Sequence, residues 1–259
     1  MKVLVIGDIV GKPGREIVKQ LLPAMINNYQ VDFVIANGEN AAGGAGITPI
    51  IAQELFASGI NVLTSGNHIW DKKEIVPFIT KEERLLRPAN YPPDTPGKGW
   101  ILVNADCGVT IGVANFAGRV FMADLDCPFR TADSLLPSLK QKTNIILVDF
   151  HAEATSEKEA FGWYLDGLVT AVFGTHTHVQ TADERILPKG TAYITDIGMT
   201  GPTGSILGIE KEVVIHKFRS QMPVKFQVAK GPAQLNGIII DIDETLGSSK
   251  SINRVVEFA

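Results

Sequence analysis

The sequence predicts a protein of the α/β or α+β class, in which helices cover layers built from two β-sheets. Short apolar runs recur along the chain and end in polar or glycine-rich sequence. Early in the chain these runs alternate with helical patterns, whereas later they follow one another directly. This order is typical of layered sheets with helices packed outside them.

Seven apolar runs predict the strands, because they are short and rich in β-branched residues, as buried strands are. They occupy residues 3–6, 33–36, 61–64, 109–116, 144–150, 168–173 and 191–197. Helical spacing predicts a helix over 14–29, with a kink or break at Pro23, and a second over 48–59 that begins at Thr48 and Pro49. Near the C-terminus, residues 224–230 and 234–243 predict a hairpin joined by Gly-Pro-Ala.

The length and composition suit one catalytic domain over residues 1–259, with a small cap-like excursion of undefined limits. Residues 87–100, rich in loop-forming residues, are the weakest candidate for a boundary. The net charge is −4 and no basic block occurs, so binding to long nucleic acid is not expected. The first residues are too short an apolar run for a signal peptide or membrane span, which predicts a cytoplasmic protein with no membrane partner. A homo-oligomer is expected only as a general tendency of enzymes.

The two cysteines, Cys107 and Cys127, match no metal-binding or redox spacing and are predicted to be small buried residues.

Polar residues follow the predicted strands at the ends where open α/β sheets collect ligands. Five strand ends deliver two carboxylates, two asparagines and four of the five histidines, namely Asp8, Glu39, Asn40, Asn67, His68, His151, His176 and His178. Each has an ordinary alternative, such as a helix cap, a turn residue or a core histidine. Their shared location favours a common site, and His176 and His178 would face one side of an extended chain.

Carboxylate, amide and imidazole donors suit manganese, iron or zinc better than calcium. Eight candidate donors are too many for one tetrahedral ion, and they favour two ions that share a bridging carboxylate. The two histidines of the Thr-His-Thr-His stretch are then expected to serve different ions. A rival interpretation is the glycine-rich turn at residues 7–14, but it lacks G-x-G-x-x-G, and Asp8 would repel a pyrophosphate. No P-loop and no serine-hydrolase elbow occurs.

Several motifs resemble those of the calcineurin-like metallophosphoesterases, in the same order: GD (7–8), NGEN (37–40), GNH (66–68), DFHAEATSEK (149–158) and GTHTH (174–178). A closer resemblance is to the YmdB-type branch, described as 2′,3′-cyclic-nucleotide 2′-phosphodiesterases. It rests on RPANYP, TPGKGW, HAEATSEK, GTHTHVQTAD and YITDIGMTGP and covers essentially the whole chain. The resemblance implies a four-layer α/β/β/α sandwich of two mixed β-sheets flanked by helices.

The resemblance also implies the ligand set. The first metal would take Asp8, Glu39, Asn40 and His178, and the second Glu39 as bridge, Asn67, His151 and His176. The sequence departs from the wider superfamily, because Val10 replaces a usual histidine and Glu39 stands where an aspartate is usual. Iron or manganese is expected, with magnesium and zinc as alternatives.

The implied reaction is hydrolysis of 2′,3′-cyclic nucleotides by a metal-bridging hydroxide, with His68 as the general acid. Two other functions remain open at this point: a broader phosphodiesterase or phosphomonoesterase, and a regulatory protein that senses a nucleotide in the same pocket. Asp71 is a candidate to orient His68, although a solvated helix start is favoured for it. Asp149 and Glu153 are candidates for contacts behind His151, although ordinary structural roles are favoured for both.

Overall fold

A computed structural model describes residues 1–105 and 108–258. The strands are β1 Lys2–Ile6, β2 Asp8–Ile9, β3 Phe33–Asn37, β4 Val62–Thr64, β5 Trp100–Asn104, β6 Thr110–Ala117, β7 Ile145–His151, β8 Ala171–Thr175, β9 Arg185–Ile186, β10 Ala192–Ile194, β11 Met199–Pro202, β12 Ser205–Ile206, β13 Ile209–Glu210, β14 Ala233–Ile242 and β15 Ser249–Phe258. The helices are α1 Gly11–Tyr29, α2 Pro49–Ala57, α3 Ile75–Ile79, α4 Pro128–Lys140, α5 Thr155–Tyr164 and α6 Lys211–Ser220.

Two mixed sheets organise the fold, as the sequence resemblance predicts. The first runs in the order β2-β11-β14-β1-β3-β4, with β15 alongside β14. In it β1, β3 and β4 are parallel, whereas β14 is antiparallel to both β1 and β15. The second runs in the order β5-β6-β7-β8-β10-β9, where β6, β7, β8 and β10 are parallel and the two edge strands are antiparallel. Strands β12 and β13 form a separate small hairpin.

The side chains of β1 show how the layers form, because neighbouring residues of a strand point to opposite faces. Val3 and Val5 belong to the core between the sheets, whereas Leu4 and Ile6 belong to the core under α1. A third core lies between the second sheet and helices α4 and α5. The result is the predicted α/β/β/α sandwich.

The predicted helices are confirmed, with one correction. Helix α2 begins as expected, since the Thr48 hydroxyl accepts a hydrogen bond from the Ile51 amide at 3.3 Å. Helix α1, however, continues through Pro23 to Tyr29 without a break. Pro23 lies on the exposed side of the helix, where water can satisfy the carbonyl that proline leaves free.

The predicted C-terminal hairpin is wrong. Residues 224–230 form no strand beyond an isolated bridge between Ile209 and Val228. Strand β14 instead pairs with β1 on one side and with β15 on the other. The ten-residue β15 fills the edge of β14 along nearly its whole length, which the shorter 224–230 segment cannot do.

The loop over residues 87–100 packs against the fold. Buried Arg87 donates hydrogen bonds to the carbonyls of Thr95, Pro96 and Pro88 at 2.8–3.3 Å. These contacts close the loop on itself and do not favour a linker there. The extent of the domain, residues 1–259, stays a prediction.

Two further sequence expectations concern the cysteines and membranes. Cys127 precedes α4 and is only partly buried, which corrects the prediction that it is a buried residue, and Cys107 lies outside the described residues. Within the described ranges, the helices are too short or too polar to cross a bilayer.

Gly174 generates a stability prediction, because a Cβ atom there would collide with the backbone carbonyl of Thr195. We expect Gly174→Ala to lower the free energy of unfolding by about 1–3 kcal/mol, the usual cost of overpacking. Gly204→Ala is the matched control, since Gly204 faces open space, and it should be neutral or slightly stabilising. Urea unfolding at equal metal content measures both, and equal stability of the two variants would contradict the packing assigned to β8.

Candidate metal centre

The strand ends of both sheets bring the predicted residues to one place. Asp8 lies in β2, His151 is the last residue of β7, and Glu39, Asn67 and His176 follow β3, β4 and β8. The parallel strands of each sheet therefore deliver their ends to a common edge, as the sequence analysis expects. Asp8, Glu39, Asn40 and His151 are almost fully buried, and Asn67, His68, His176 and His178 are partly exposed.

The Nε2 atom of His151 is the meeting point of the cluster. Glu39 Oε1 lies 3.1 Å from it, Asn67 Oδ1 3.0 Å and His176 Nδ1 2.9 Å. An imidazole nitrogen carries at most one proton, so it cannot satisfy three neighbouring acceptors at once. Suitable ligand atoms of Glu39, His151 and His176 lie within 4.8 Å of one another. A cation suits this convergence better than a hydrogen-bond network does.

Asp8, Asn40 and His178 extend the cluster. Asp8 Oδ2 accepts a hydrogen bond from the His176 amide at 3.3 Å, and its Oδ1 lies 4.0 Å from His151 Nδ1. Asp8 Oδ1 is buried and has no hydrogen-bond partner in the described part of the chain. The Nε2 atom of His178 lies 3.3 Å from Asn40 Oδ1. An unpaired buried carboxylate oxygen is costly, which again fits a bound cation.

In His151, His176 and His178, one ring nitrogen contacts a residue outside the cluster and the other faces the cluster. Nδ1 of His151 contacts the Thr175 hydroxyl at 3.0 Å, Nε2 of His176 contacts Glu153 at 3.1 Å, and Nδ1 of His178 contacts the Leu207 carbonyl at 3.1 Å. Such outer partners fix the tautomer and direction of metal-binding imidazoles. The donor set therefore fits metal ions. The contact of Glu153 with His176 differs from the ordinary structural role that the sequence favoured for Glu153.

The backbone of the Thr-His-Thr-His stretch differs from the extended chain that the sequence predicts. Strand β8 ends at Thr175, and the φ angles of His176 and His178 are 100° and 66°. Residues other than glycine adopt positive φ only at an energetic cost, and such residues concentrate at functional sites. The two rings still reach different partners, His151 and Asn40.

Asp196 holds this strained loop, although it is not among the site residues predicted from the sequence. Its Oδ2 accepts hydrogen bonds from the amide and hydroxyl of Thr177, at 3.1 and 2.7 Å, and from the buried ammonium of Lys158 at 2.6 Å. Its Oδ1 accepts from the Gly198 amide at 2.8 Å. Asp196 follows β10, so the same strand-end rule could have found it.

Asp149 is another buried carboxylate, and it supports the cluster from behind. It accepts hydrogen bonds from the hydroxyls of Thr64 and Thr175, at 2.5 and 2.7 Å, and from the Asn37 amide at 3.2 Å. Thr175 contacts His151, and Asn37 accepts a hydrogen bond from the Glu39 backbone amide at 3.1 Å. Asp149 thus orients two residues of the cluster through its neighbours.

His68 stands apart from the rings that face His151. Its Nδ1 lies 2.8 Å from Asp71 Oδ2, and its backbone amide donates to Glu39 Oε2 at 3.2 Å. The interpretation favoured from the sequence, a solvated helix start, is right about the exposure of Asp71 but wrong about the helix, because α3 begins only at Ile75. Asp71 instead fixes the orientation of the His68 ring.

The charges of the cluster depend on one another. Burial raises the pKa of Glu39, but the charge and hydrogen bond of His151 outweigh it and lower that pKa to about 2. Burial lowers the pKa of His151, but the charges of Glu39 and Asp8 raise it to about 9. Burial, together with the charge of His151, lowers the pKa of His176 to about 3, and burial lowers that of His178. Burial raises the pKa of Asp8 well above its usual range.

The fold and the site together define a class of protein. The structure superposes on that of the calcineurin-like phosphoesterase YfkN from Bacillus subtilis with a TM-score of 0.59 at 12% identity, covering 100% of this chain and 90% of that one. The architecture is therefore the calcineurin-like phosphoesterase fold. Within it, the chain belongs to the YmdB-like protein family, whose model matches residues 4–255.

Two relatives are much more similar to this chain. It is 52% identical over 256 residues to the 2′,3′-cyclic-nucleotide 2′-phosphodiesterase of Bacillus subtilis (strain 168), covering 99% of this chain and 97% of that protein. The crystal structure of a novel phosphatase from Mycoplasma pneumoniae matches with a TM-score of 0.93 at 36% identity, covering 100% of this chain and 93% of that one. These similarities confirm the resemblance drawn from the sequence motifs.

The buried pair of Lys158 and Asp196 generates a second prediction. We expect Lys158→Met to lower the free energy of unfolding by about 3–5 kcal/mol, because it leaves the Asp196 carboxylate buried without its cation. Lys98→Met is the control, since Lys98 pairs with Glu83 at the surface and such pairs contribute about 1 kcal/mol or less. Chemical denaturation at equal metal content measures both, and similar small losses would refute the role of the pair.

The raised pKa of His151 generates a third prediction. In metal-depleted protein near neutral pH this ring holds a proton, which a cation must displace. We expect manganese loading to release about one proton per chain or more, and the release to decline as the pH rises through 9. Calorimetry in buffers of different ionisation enthalpy measures the release. Loading without proton release near neutral pH would contradict the proton assigned to His151 in the metal-depleted protein.

Proposed function

We propose that this chain hydrolyses phosphodiesters, with nucleoside 2′,3′-cyclic phosphates as substrates and 3′-nucleotides as products. Its family and fold are those of phosphoesterases. The substrate follows the name of the 52%-identical relative. The observation that carries the proposal is the convergence of Glu39, Asn67 and His176 on one nitrogen of His151.

Two metal ions are proposed for this cluster. Asp8, Asn40 and His178 would hold one ion, Asn67, His151 and His176 would hold the other, and Glu39 would be a ligand of both. Imidazole, amide and carboxylate donors favour iron or manganese, with magnesium and zinc as alternatives. When bound, such ions neutralise phosphoryl oxygens and lower the pKa of water.

The surrounding residues supply rigidity and a proton. Thr175, Glu153 and the Leu207 carbonyl hold the three rings in fixed tautomers, so that their inner nitrogens are ready to bind. His68 would act as the general acid. Asp71 engages its Nδ1 at 2.8 Å, which leaves Nε2 to donate a proton to the departing sugar oxygen.

The role of His68 is tested by the leaving group. A sugar oxygen needs a proton to depart, whereas nitrophenolate leaves as a stable anion. We therefore expect His68→Ala to lower kcat on adenosine 2′,3′-cyclic phosphate by about 10²–10⁴-fold and to affect bis(p-nitrophenyl) phosphate far less. Asp71→Asn should show the same selectivity with a smaller loss. Steady-state assays with manganese and verified metal content measure both.

Asp94→Asn, at an exposed loop position, is the control and should retain both activities. An equal loss on both substrates in His68→Ala would contradict the acid role. Parent protein that binds the cyclic nucleotide but turns over neither diester would favour the nucleotide-sensing function instead. Preference for phosphomonoesters would favour the broader phosphatase function.

A further inference from the structure

A cavity of about 640 Å³ lies next to the metal centre, and the mechanism above does not use it. We call it the arginine pocket, after three of its lining residues, Arg87, Arg119 and Arg130. Tyr91, Asp126 and Cys127 also line it. The inference drawn from it rests on the proposed function.

The backbone places the pocket against the centre. Strand β6 ends at Ala117, which pairs in register with His151, and the next amide, of Gly118, donates to the His151 carbonyl at 2.9 Å. Arg119 comes immediately after it. Asn90 then joins the two walls, because its side-chain amide donates to the carbonyls of Ala117 at 2.8 Å and Asp126 at 3.0 Å.

Tyr91, on the aromatic side of the pocket, connects the pocket to the segment that bears His68. The ring of Tyr91 packs edge-on against Trp70, with 6.0 Å between centroids, and Trp70 lies two residues after His68. Burial raises the pKa of Tyr91, and the nearby charges of Glu39 and Asp71 raise it further. Tyr91 therefore lies close enough to Glu39 and Asp71 to feel their charges, and Asp71 is the partner of His68.

The charge of the pocket is positive and not neutralised within the fold. Arg119 and Arg130 are exposed, and neither guanidinium forms an ion pair in residues 1–105 and 108–258. Glu157 accepts hydrogen bonds only from the backbone amides of Arg119 and Val120, which fixes the loop and leaves the Arg119 side chain available. Asp126 is the single carboxylate among the described lining residues.

A nucleoside 2′,3′-cyclic phosphate has one phosphate, which the metal centre would take. We propose that the arginine pocket binds a second phosphate, the one that links the terminal nucleoside to its neighbour. The preferred substrate is then a short oligoribonucleotide that ends in a 2′,3′-cyclic phosphate. Arg119 and Arg130 would contact the linking phosphate, since guanidinium groups match phosphate geometry and remain charged at every relevant pH.

The test compares three substrates at low salt. These are adenosine 2′,3′-cyclic phosphate, the dinucleotide of adenosine that ends in the same cyclic phosphate, and that dinucleotide with a neutral methylphosphonate link. We expect kcat/KM to be roughly tenfold or more higher for the charged dinucleotide than for the mononucleotide, the least that the two charge-assisted contacts would add. The methylphosphonate form should lose this preference, and added salt should reduce it.

Variants assign the effect to the pocket. Arg119→Gln and Arg130→Gln should each lower the ratio of kcat/KM between dinucleotide and mononucleotide by several-fold to tenfold. Arg219→Gln, on the exposed surface of α6, is the matched control and should leave the ratio unchanged. A parent enzyme without preference, a preference kept by the methylphosphonate, or a ratio unaffected in both arginine variants would overturn the inference. Absence of turnover of the mononucleotide itself would instead overturn the proposed function on which it rests.

Discussion

The crowding of acceptor atoms around His151 Nε2 is the constraint on which the rest of the structure depends. Carboxylate, amide and imidazole groups approach it to about 3 Å, in a place that water scarcely reaches. Such groups are costly to bury together unless positive charge offsets them. The charges of Glu39 and Asp8 raise the pKa of His151 to about 9, which is the direction expected of a place that favours positive charge.

The layers around the cluster keep those groups in position. Asp149 reaches His151 through Thr175, and Asp196, paired with Lys158, holds the left-handed loop that bears the other two rings. These contacts come from strands of the second sheet and from helix α5, which packs on it. Glu39 and Asn67, in contrast, follow strands of the first sheet. The geometry of the centre therefore depends on how the two sheets pack against each other. Rigid strand ends hold its side chains in place more precisely than flexible loops would.

The sequence was sufficient to predict two sheets with helices outside them, eight of the fifteen strands in the described residues, and the gathering of eight residues, because strand-end position is a local property of the chain. It did not reveal the left-handed backbone of His176 and His178, since Asp196 imposes that shape from a distant strand. The contact of Asp71 with His68 was only the less favoured interpretation, because the same spacing also suits the start of a helix. The prediction of a C-terminal hairpin was wrong because β15 occupies the edge of β14. This competition between two segments for one edge depends on the assembled sheet and not on the local sequence.

Anomalous diffraction from manganese-loaded crystals tests the central claim most directly. The account predicts two anomalous peaks on either side of Glu39, one near His151, Asn67 and His176 and the other near Asp8, Asn40 and His178. The two peaks should lie about 3.5–4 Å apart, the distance between the ions of a dinuclear centre. Peaks elsewhere in the molecule, or a fully loaded protein whose metal does not contact Glu39, would contradict the account.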